Sequence, residues 1–90
     1  MLKLQIFVTD DCWSCEESRR IAAETQARFE AVEVTLLDLQ SDERPSSVFA
    51  APTYLLNGRV ISLGNPRRED LWAQLAQRND NLGDEEERPE

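Results

Sequence analysis

The tetrapeptide Cys12-Trp13-Ser14-Cys15 follows an apolar run, Leu4-Gln5-Ile6-Phe7-Val8, and precedes a segment of helical periodicity that begins near Glu16. Two cysteines separated by two residues on the first turn of a helix bring their sulfur atoms together with little distortion. The start of a helix presents unpaired N–H groups and the positive end of the helix dipole, and both favour a thiolate. Because the thiolate is the nucleophilic form of cysteine, this stretch predicts dithiol–disulfide exchange.

The composition indicates one small domain in a chain of 90 residues. Apolar residues make up 40% of the chain and are spread along it, so we expect it to fold. The formal net charge of −8 argues against nucleic acid or an anionic membrane as a partner. We predict a folded domain over residues 1–78 and an acidic, disordered tail over residues 79–90.

The beginning of the chain alternates polar and apolar side chains and lacks the continuous apolar core of a signal peptide. Since we also find no stretch long enough to span a bilayer, we expect the protein in the cytoplasm. In that reducing compartment, a lone Cys-x-x-Cys is more often redox-active or metal-binding than a structural disulfide.

The hydrophobic pattern predicts the order strand, helix, strand, short link, hairpin and helix, with four strands in one mixed sheet. Residues 3–8 and 32–39 read as strands around a helix over residues 12–29, which implies a parallel strand pair. The dense apolar residues of the second strand favour a central position in the sheet. We expect residues 40–51 to form an irregular link, with a second helix shortened to at most a few residues around 46–49.

Asn57-Gly58 separates two short apolar runs and is the sequence signal of a two-residue hairpin turn. The expected cross-strand pairs are Leu55 with Val60 and Tyr54 with Ile61. After the hairpin, Asn65 is expected to cap the last helix, with Pro66 in its first helical position. The predicted buried stripe of that helix is Leu71, Trp72, Leu75 and Ala76, and we expect the helix to fray near residues 79–81.

This arrangement resembles the thioredoxin and glutaredoxin superfamily over residues 2–78. The resemblance rests on Phe7-Val8-Thr9-Asp10-Asp11-Cys12-Trp13-Ser14-Cys15, on Ala51-Pro52-Thr53-Tyr54, and on Asn57-Gly58-Arg59-Val60-Ile61-Ser62-Leu63-Gly64. The combination of a Cys-x-x-Cys with a later X-Pro-Thr, a hairpin and a closing helix makes it specific. It implies a minimal thioredoxin-like fold of the α/β class.

The resemblance also implies roles for individual residues. Cys12 matches the exposed attacking cysteine of the family, and Cys15 matches the buried resolving cysteine. Pro52 matches a cis-proline whose cis bond turns the backbone of Ala51 outward to pair with an extended substrate, the alternative being an ordinary trans-proline at a strand edge. The predicted substrate contacts are Trp13, Ser14, Ala51, Pro52 and Thr53. Thr9 and Ser14 both carry hydroxyls able to donate to a sulfur, and the sequence assigns neither.

The chain departs from the family pattern immediately before the motif. Asp10 and Asp11 stand where glutaredoxins usually carry a basic residue, and carboxylates oppose thiolate formation. We therefore predict a reducing protein in which the pKa of Cys12 lies below that of a free thiol without being extremely low. A single Gly64 stands where glutathione sites often have Gly-Gly, so we expect a disulfide-containing protein as substrate and a reductase, rather than glutathione, as electron donor.

Three functions stay open on the sequence. The first is a thioredoxin-like oxidoreductase that reduces protein or small-molecule disulfides without an organic cofactor. The second is a redox-inactive adaptor built on the same fold. The third is a metal-handling or iron–sulfur-bridging protein. Because the sequence has two cysteines and no histidine, a tetrahedral site would need carboxylates or a second chain, and we assign no metal ligands.

The face of the sheet opposite the helices is expected to be poorly covered. Both long helices should lie on one face, which leaves only the short link for the other. We therefore expect an apolar patch near Val48 and Phe49, and a second copy of the chain or a docking partner bound there.

Overall fold

A four-stranded mixed sheet and two helices make up the fold of this computed structural model, which describes residues 2–10 and 12–87, with side chains described up to residue 78. The elements in chain order are β1 (Leu2–Val8), α1 (Ser14–Arg28), β2 (Val32–Asp38), β3 (Thr53–Leu56), β4 (Arg59–Leu63) and α2 (Arg68–Glu87). The predicted α/β class and the order of the elements are confirmed.

The strands lie in the order β2-β1-β3-β4. β1 pairs in parallel with β2 and antiparallel with β3, and β4 completes the hairpin with β3. The predicted central position of the second strand is therefore wrong, because β1 takes that position and β2 lies at an edge, with Leu36 41% exposed. The apolar side chains of β2 lie on both faces of the sheet, whereas β2 is hydrogen-bonded within the sheet only along its edge with β1.

Two apolar clusters lie on opposite faces of the sheet. The helix-side core contains alternate residues of β1 together with buried residues of both helices, which confirms that the helices share one face. Its fully or nearly fully buried members include Leu2, Leu4, Ile6, Val8, Cys15, Ile21, Leu71 and Leu75. The link-side core is smaller and consists of Phe7, Val48 and Leu55, with Leu37, Leu39 and Val60 packed against them.

The link between β2 and β3 contains two turns in place of the predicted shortened second helix. The Arg44 amide donates to the Ser41 carbonyl and the Val48 amide to the Pro45 carbonyl, and neither turn continues. The Arg44 guanidinium also donates to the Val48 carbonyl, which uses an acceptor that a longer helix would need. Val48 is buried, whereas Phe49 is 74% exposed. The predicted binding of a second copy or a docking partner at this face stays a prediction.

The hairpin turn contains two residues in the left-handed region, Asn57 with φ 52° and Gly58 with φ 85°. Both positions need positive φ in the turn that matches strand twist, which is why Asn-Gly occurs here. Leu55 pairs with Val60 as predicted, but Tyr54 pairs with Ser62 because a bulge shifts the register. The expected pairing of Tyr54 with Ile61 is therefore wrong.

The last helix begins at Arg68, later than the predicted cap at Asn65. The Asn65 side chain bonds to α1 instead of capping α2, and the first turn of α2 includes a bond from the Leu71 amide to the Arg67 carbonyl. Leu71 and Leu75 are buried as predicted, Trp72 is half-buried and Ala76 is exposed.

The backbone of α2 continues to Glu87, beyond the predicted fraying at residues 79–81. Glutamates, which have good helix propensity, occupy residues 85–87. The helical backbone thus enters the segment predicted to be a disordered tail, and residues 88–90 lie outside the described residues. The division into a domain over 1–78 and a tail over 79–90 stays a prediction. Within the described chain, neither helix has the length and apolar character needed to cross a bilayer.

Polar contacts join the two helices along their length. Arg68 forms ion pairs with Glu17, at 2.7 Å, and with Glu24. The Trp72 indole N–H donates to the Thr25 hydroxyl at 2.9 Å. The hydrogen bonds of Arg68 are the main reason that the pKa of the Glu17 carboxyl is lowered and that the pKa of the Arg68 guanidinium is raised.

Replacing Leu4 with alanine is expected to destabilise the fold strongly, because Leu4 is fully buried in the helix-side core. The loss of a buried leucine side chain typically lowers the free energy of unfolding by about 2–5 kcal/mol. Leu63→Ala makes the same change at a leucine that is 67% exposed, and we expect an effect within about 0.5 kcal/mol. Urea unfolding followed by circular dichroism measures both, and equal losses would contradict the assignment of Leu4 to the core.

Replacing Arg68 with glutamine is expected to weaken the fold near neutral pH and to have less effect in acid. The ionised Glu17 carboxylate, whose pKa Arg68 lowers from the ordinary value of 4.5, stabilises the folded state above that value. This stabilisation is lost as the pH falls through the lower pKa of the folded state, so the urea midpoints of wild type and Arg68→Gln should converge there. The matched control Arg67→Gln removes only an exposed pair with Glu69 and should change the midpoint little. A midpoint difference that persists unchanged into acid would count against the Glu17 contact.

Candidate active site

The Cys-x-x-Cys lies between the end of β1 and the start of α1. Helix α1 begins at Ser14, and the Cys15 amide donates to the Cys12 carbonyl at 3.0 Å in the turn just before it. Trp13 precedes the helix and makes no side-chain capping hydrogen bond. Asp11, predicted as an acidic neighbour of the motif, lies outside the described residues. The helix start is thus formed by the motif itself.

The sulfur atoms of Cys12 and Cys15 are joined in a disulfide, with the two Cα atoms 5.1 Å apart. Cys15 is fully buried in the helix-side core, whereas Cys12 is half-buried and only packs against it. Trp13 between them is 90% exposed. The pair therefore consists of one partly exposed cysteine and one fully buried cysteine.

The Ser14 hydroxyl lies 3.3 Å from the Cys12 Sγ atom. Because a disulfide sulfur carries no hydrogen, the hydroxyl is the donor in this contact. Of the two hydroxyls that the sequence left open, it is therefore Ser14 that reaches a sulfur of the motif.

The Ala51–Pro52 peptide bond is cis, as predicted. Phe7 near the end of β1 pairs with Thr53 at the start of β3, so the segments outside these two residues lie at the same end of the sheet. Ala51 and Cys12 both pack against the helix-side core. The fold thus brings the motif and the cis peptide to one end of the sheet.

The predicted substrate contacts differ in accessibility. Trp13 is exposed, and Ser14 and Ala51 are half-buried. Pro52 is buried, and its carbonyl accepts a bond from the Gly64 amide at 2.8 Å. The Thr53 hydroxyl is also buried and donates to the Ala50 carbonyl at 2.6 Å, so it is already used within the fold.

A hydrogen-bond network behind the motif was not predicted from the sequence. It is centred on Asn65, whose side chain contacts Ser14, Ser18 and Tyr54. Burial raises the pKa of the Tyr54 phenol, and a nearby hydroxyl of Ser18 partly opposes this. The signal in the sequence is a polar Ser18 on the inward side of α1, one turn before Ile21, which implies a partner across the core.

Two further observations concern metal binding and a groove away from the dithiol. Within the described residues, no group of three or more cysteine, histidine or acidic side chains is placed to hold a metal ion. An open groove of about 590 Å³ lies at the other end of α1 and is lined by Arg28, Phe29, Glu69, Trp72, Ala73 and Ala76. The groove is separated from the dithiol by the length of α1.

Comparisons with known proteins agree with this geometry. No known family profile matches the chain. The chain is 26% identical over 81 residues to a thioredoxin of Methanocaldococcus jannaschii, an alignment that covers 86% of this chain and 95% of that protein. A solved structure described as that of a malarial protein superposes with a TM-score of 0.69 at 20% identity, covering 86% of this chain and 96% of the other, and shows the fold alone. Together with the cysteine pair at the start of α1, these similarities support a thioredoxin-like protein, and the architecture agrees with a minimal form of that fold.

Proposed function

We propose that the protein is a thiol–disulfide oxidoreductase whose Cys12 and Cys15 dithiol reduces disulfides in protein or small-molecule substrates. The observation that carries this proposal is the unequal burial of two disulfide-bonded cysteines at a helix start. Cys12 is half-buried, and Cys15 is fully buried directly behind it. A structural disulfide needs no such asymmetry, whereas a two-step exchange needs one accessible sulfur and one protected sulfur.

The first step begins from the reduced protein. The Cys12 thiolate attacks one sulfur of the substrate disulfide, so a bond forms between Cys12 and that sulfur while the substrate S–S bond breaks. The other substrate sulfur leaves as a thiolate and takes a proton from solvent. The N–H groups of the first turn of α1 and the Ser14 hydroxyl lie where they stabilise charge on Cys12.

The second step releases the substrate. Cys15 loses its proton and attacks the Cys12 sulfur, so the intramolecular disulfide forms and the bond between Cys12 and the substrate sulfur breaks. The released substrate sulfur takes up a proton and leaves as a thiol. Two electrons have then passed from the cysteine pair to the substrate. No organic cofactor is required, because both electrons come from the sulfurs themselves.

The surface around Cys12 suits a protein substrate. Trp13 offers an exposed aromatic side chain next to the attacking sulfur, and aromatic residues are common anchors in interfaces. The Ala51 backbone precedes the cis peptide at the same end of the sheet and supplies polar groups for an extended chain. The side chains of Pro52 and Thr53 are buried beneath this surface.

A dithiol that is oxidised in each cycle needs an electron donor. We propose a reductase for this role, because Asp10 is exposed near the motif and glutathione carries net negative charge. We place the activity in the cytoplasm, where thiols are kept reduced. The same acidic neighbour is consistent with a reducing dithiol in which the pKa of Cys12 is lowered only moderately.

Single cysteine-to-serine variants test the mechanism. The wild type is expected to reduce insulin disulfides in the presence of a small dithiol, and Cys12→Ser and Cys15→Ser should both lose turnover. Only Cys15→Ser should accumulate a mixed disulfide with the substrate, because it keeps the attacking sulfur and lacks the resolving one. Mass spectrometry under non-reducing conditions measures the adduct, and Cys12→Ser is its matched control.

The pattern of trapping separates the proposal from the alternatives. Equal adduct formation by both variants would remove the assigned roles of the two cysteines. A wild type that is inactive towards insulin and towards small disulfides, yet folds with the same disulfide, would favour a redox-inactive adaptor.

A further inference from the structure

Asn65 belongs to the segment between β4 and α2, yet its side chain is directed at the start of α1. Its Oδ1 atom accepts hydrogen bonds from the hydroxyls of Ser18, at 2.6 Å, and Tyr54, at 2.7 Å. Its Nδ2 atom donates to the Ser14 carbonyl at 2.8 Å. The orientation of the amide is fixed, because a carbonyl can only accept whereas the two hydroxyls can donate. Asn65 therefore holds the backbone of the helix start from behind.

Ser14 connects this network to the dithiol. Its carbonyl is held by Asn65, and its hydroxyl donates to the Cys12 Sγ atom over 3.3 Å. A hydroxyl that donates to sulfur stabilises the thiolate more than the disulfide, because only the thiolate carries a full charge. The position of the Ser14 backbone decides whether the hydroxyl reaches the sulfur.

We propose that Asn65 is a positioning residue of the dithiol: it holds the Ser14 backbone so that the Ser14 hydroxyl stabilises the reduced, thiolate form of Cys12. A role of Asn65 in turnover rests on the proposed function. Its effect on the Cys12 thiolate is a property of the isolated protein and is measured without a protein substrate. A reference dithiol reduces the Cys12–Cys15 bond with two electrons and two protons and becomes a disulfide in turn, and the thiolate forms when Cys12 then releases its proton to solvent.

Other titratable groups surround the network, and Ser14→Ala and Asn65→Ala leave all of them in place. Tyr54 is buried, its pKa is raised mainly by that burial, and Glu17 and Arg68 act on it with opposite signs. Asp10 and Glu16 lie close to the motif in the chain, and both are exposed. A difference in titration between variants therefore reports on the hydrogen bonds of Asn65 and Ser14.

The reduced protein is titrated by the ultraviolet absorbance of its thiolate. Ser14→Ala is expected to raise the measured pKa of Cys12 by about one unit, the effect of one hydrogen bond to a charged group. Asn65→Ala should raise it in the same direction and by no more than Ser14→Ala. The equilibrium with a reference dithiol should move towards the protein disulfide in step, by up to about tenfold.

The double variant Ser14→Ala/Asn65→Ala is decisive. If Asn65 acts through the Ser14 hydroxyl, the double variant titrates like Ser14→Ala alone. Additive shifts would overturn the proposal, and so would a titration that Asn65→Ala or Ser14→Ala leaves unchanged. Tyr54→Phe is the matched control, since it removes one donor to Asn65 and leaves the bond to Ser14, and it should not move the titration of Cys12.

A second variant keeps the test sharp if Asn65→Ala fails to fold. Asn65→Asp keeps an acceptor for Ser18 and Tyr54 but loses the donor to Ser14. Asn65→Asp also adds a charge, and the effect of that charge alone is measured in the Ser14→Ala background. We expect Asn65→Asp to shift the pKa of Cys12 more in the wild-type background than in the Ser14→Ala background. Equal shifts in the two backgrounds would overturn the proposal. If Asn65 and Ser14 are coupled in the titration of Cys12 but the protein reduces no substrate, the proposed function is contradicted and the positioning role of Asn65 is retained.

Discussion

The pairing of β1 on both of its edges is the constraint on which the rest of the molecule depends. β2 joins it in parallel and β3 in the opposite direction, so the segment after β1 and the segment before β3 lie at one end of the sheet. These two segments carry the Cys-x-x-Cys and the Ala51–Pro52 peptide. The candidate site is thus assembled from chain immediately outside two neighbouring strands.

Features set by residues close in sequence were predictable, whereas features set by distant contacts were not. The order of elements, the Asn57-Gly58 turn and the spacing of the cysteines follow from local patterns. The edge position of β2 was missed because apolar content reports the burial of faces and not the pairing of edges. The bulge that pairs Tyr54 with Ser62 depends on the packing of the whole hairpin. Asn65 suits a helix cap equally well, and only its contacts with α1 decide its use.

Buried polar side chains give the helix-side core a defined register. Ser18, Thr25 and Tyr54 are fully buried, and each has a hydrogen-bond partner in the segment from Asn65 to Trp72. A buried hydroxyl left without a partner would cost about 1–3 kcal/mol, so a shifted packing of α2 on α1 would lose these bonds together. Among the described side chains, no buried nitrogen or oxygen lacks a partner. The core therefore specifies one arrangement of the helices, where apolar contacts alone would allow several.

The same contacts bear on how the dithiol works. Cleavage of the Cys12–Cys15 bond removes the covalent link across the first turn of α1, so other interactions must keep that turn in place. Two contacts do so, Asn65 to Ser14 and Arg68 to Glu17, and Trp72 bonds to Thr25 further along α1. None of them involves a sulfur atom, and their donors and acceptors are therefore unaffected by the redox state of the pair. In the proposed mechanism, this anchoring would hold the buried Cys15 near Cys12 after reduction, which is the geometry that release of a mixed disulfide requires.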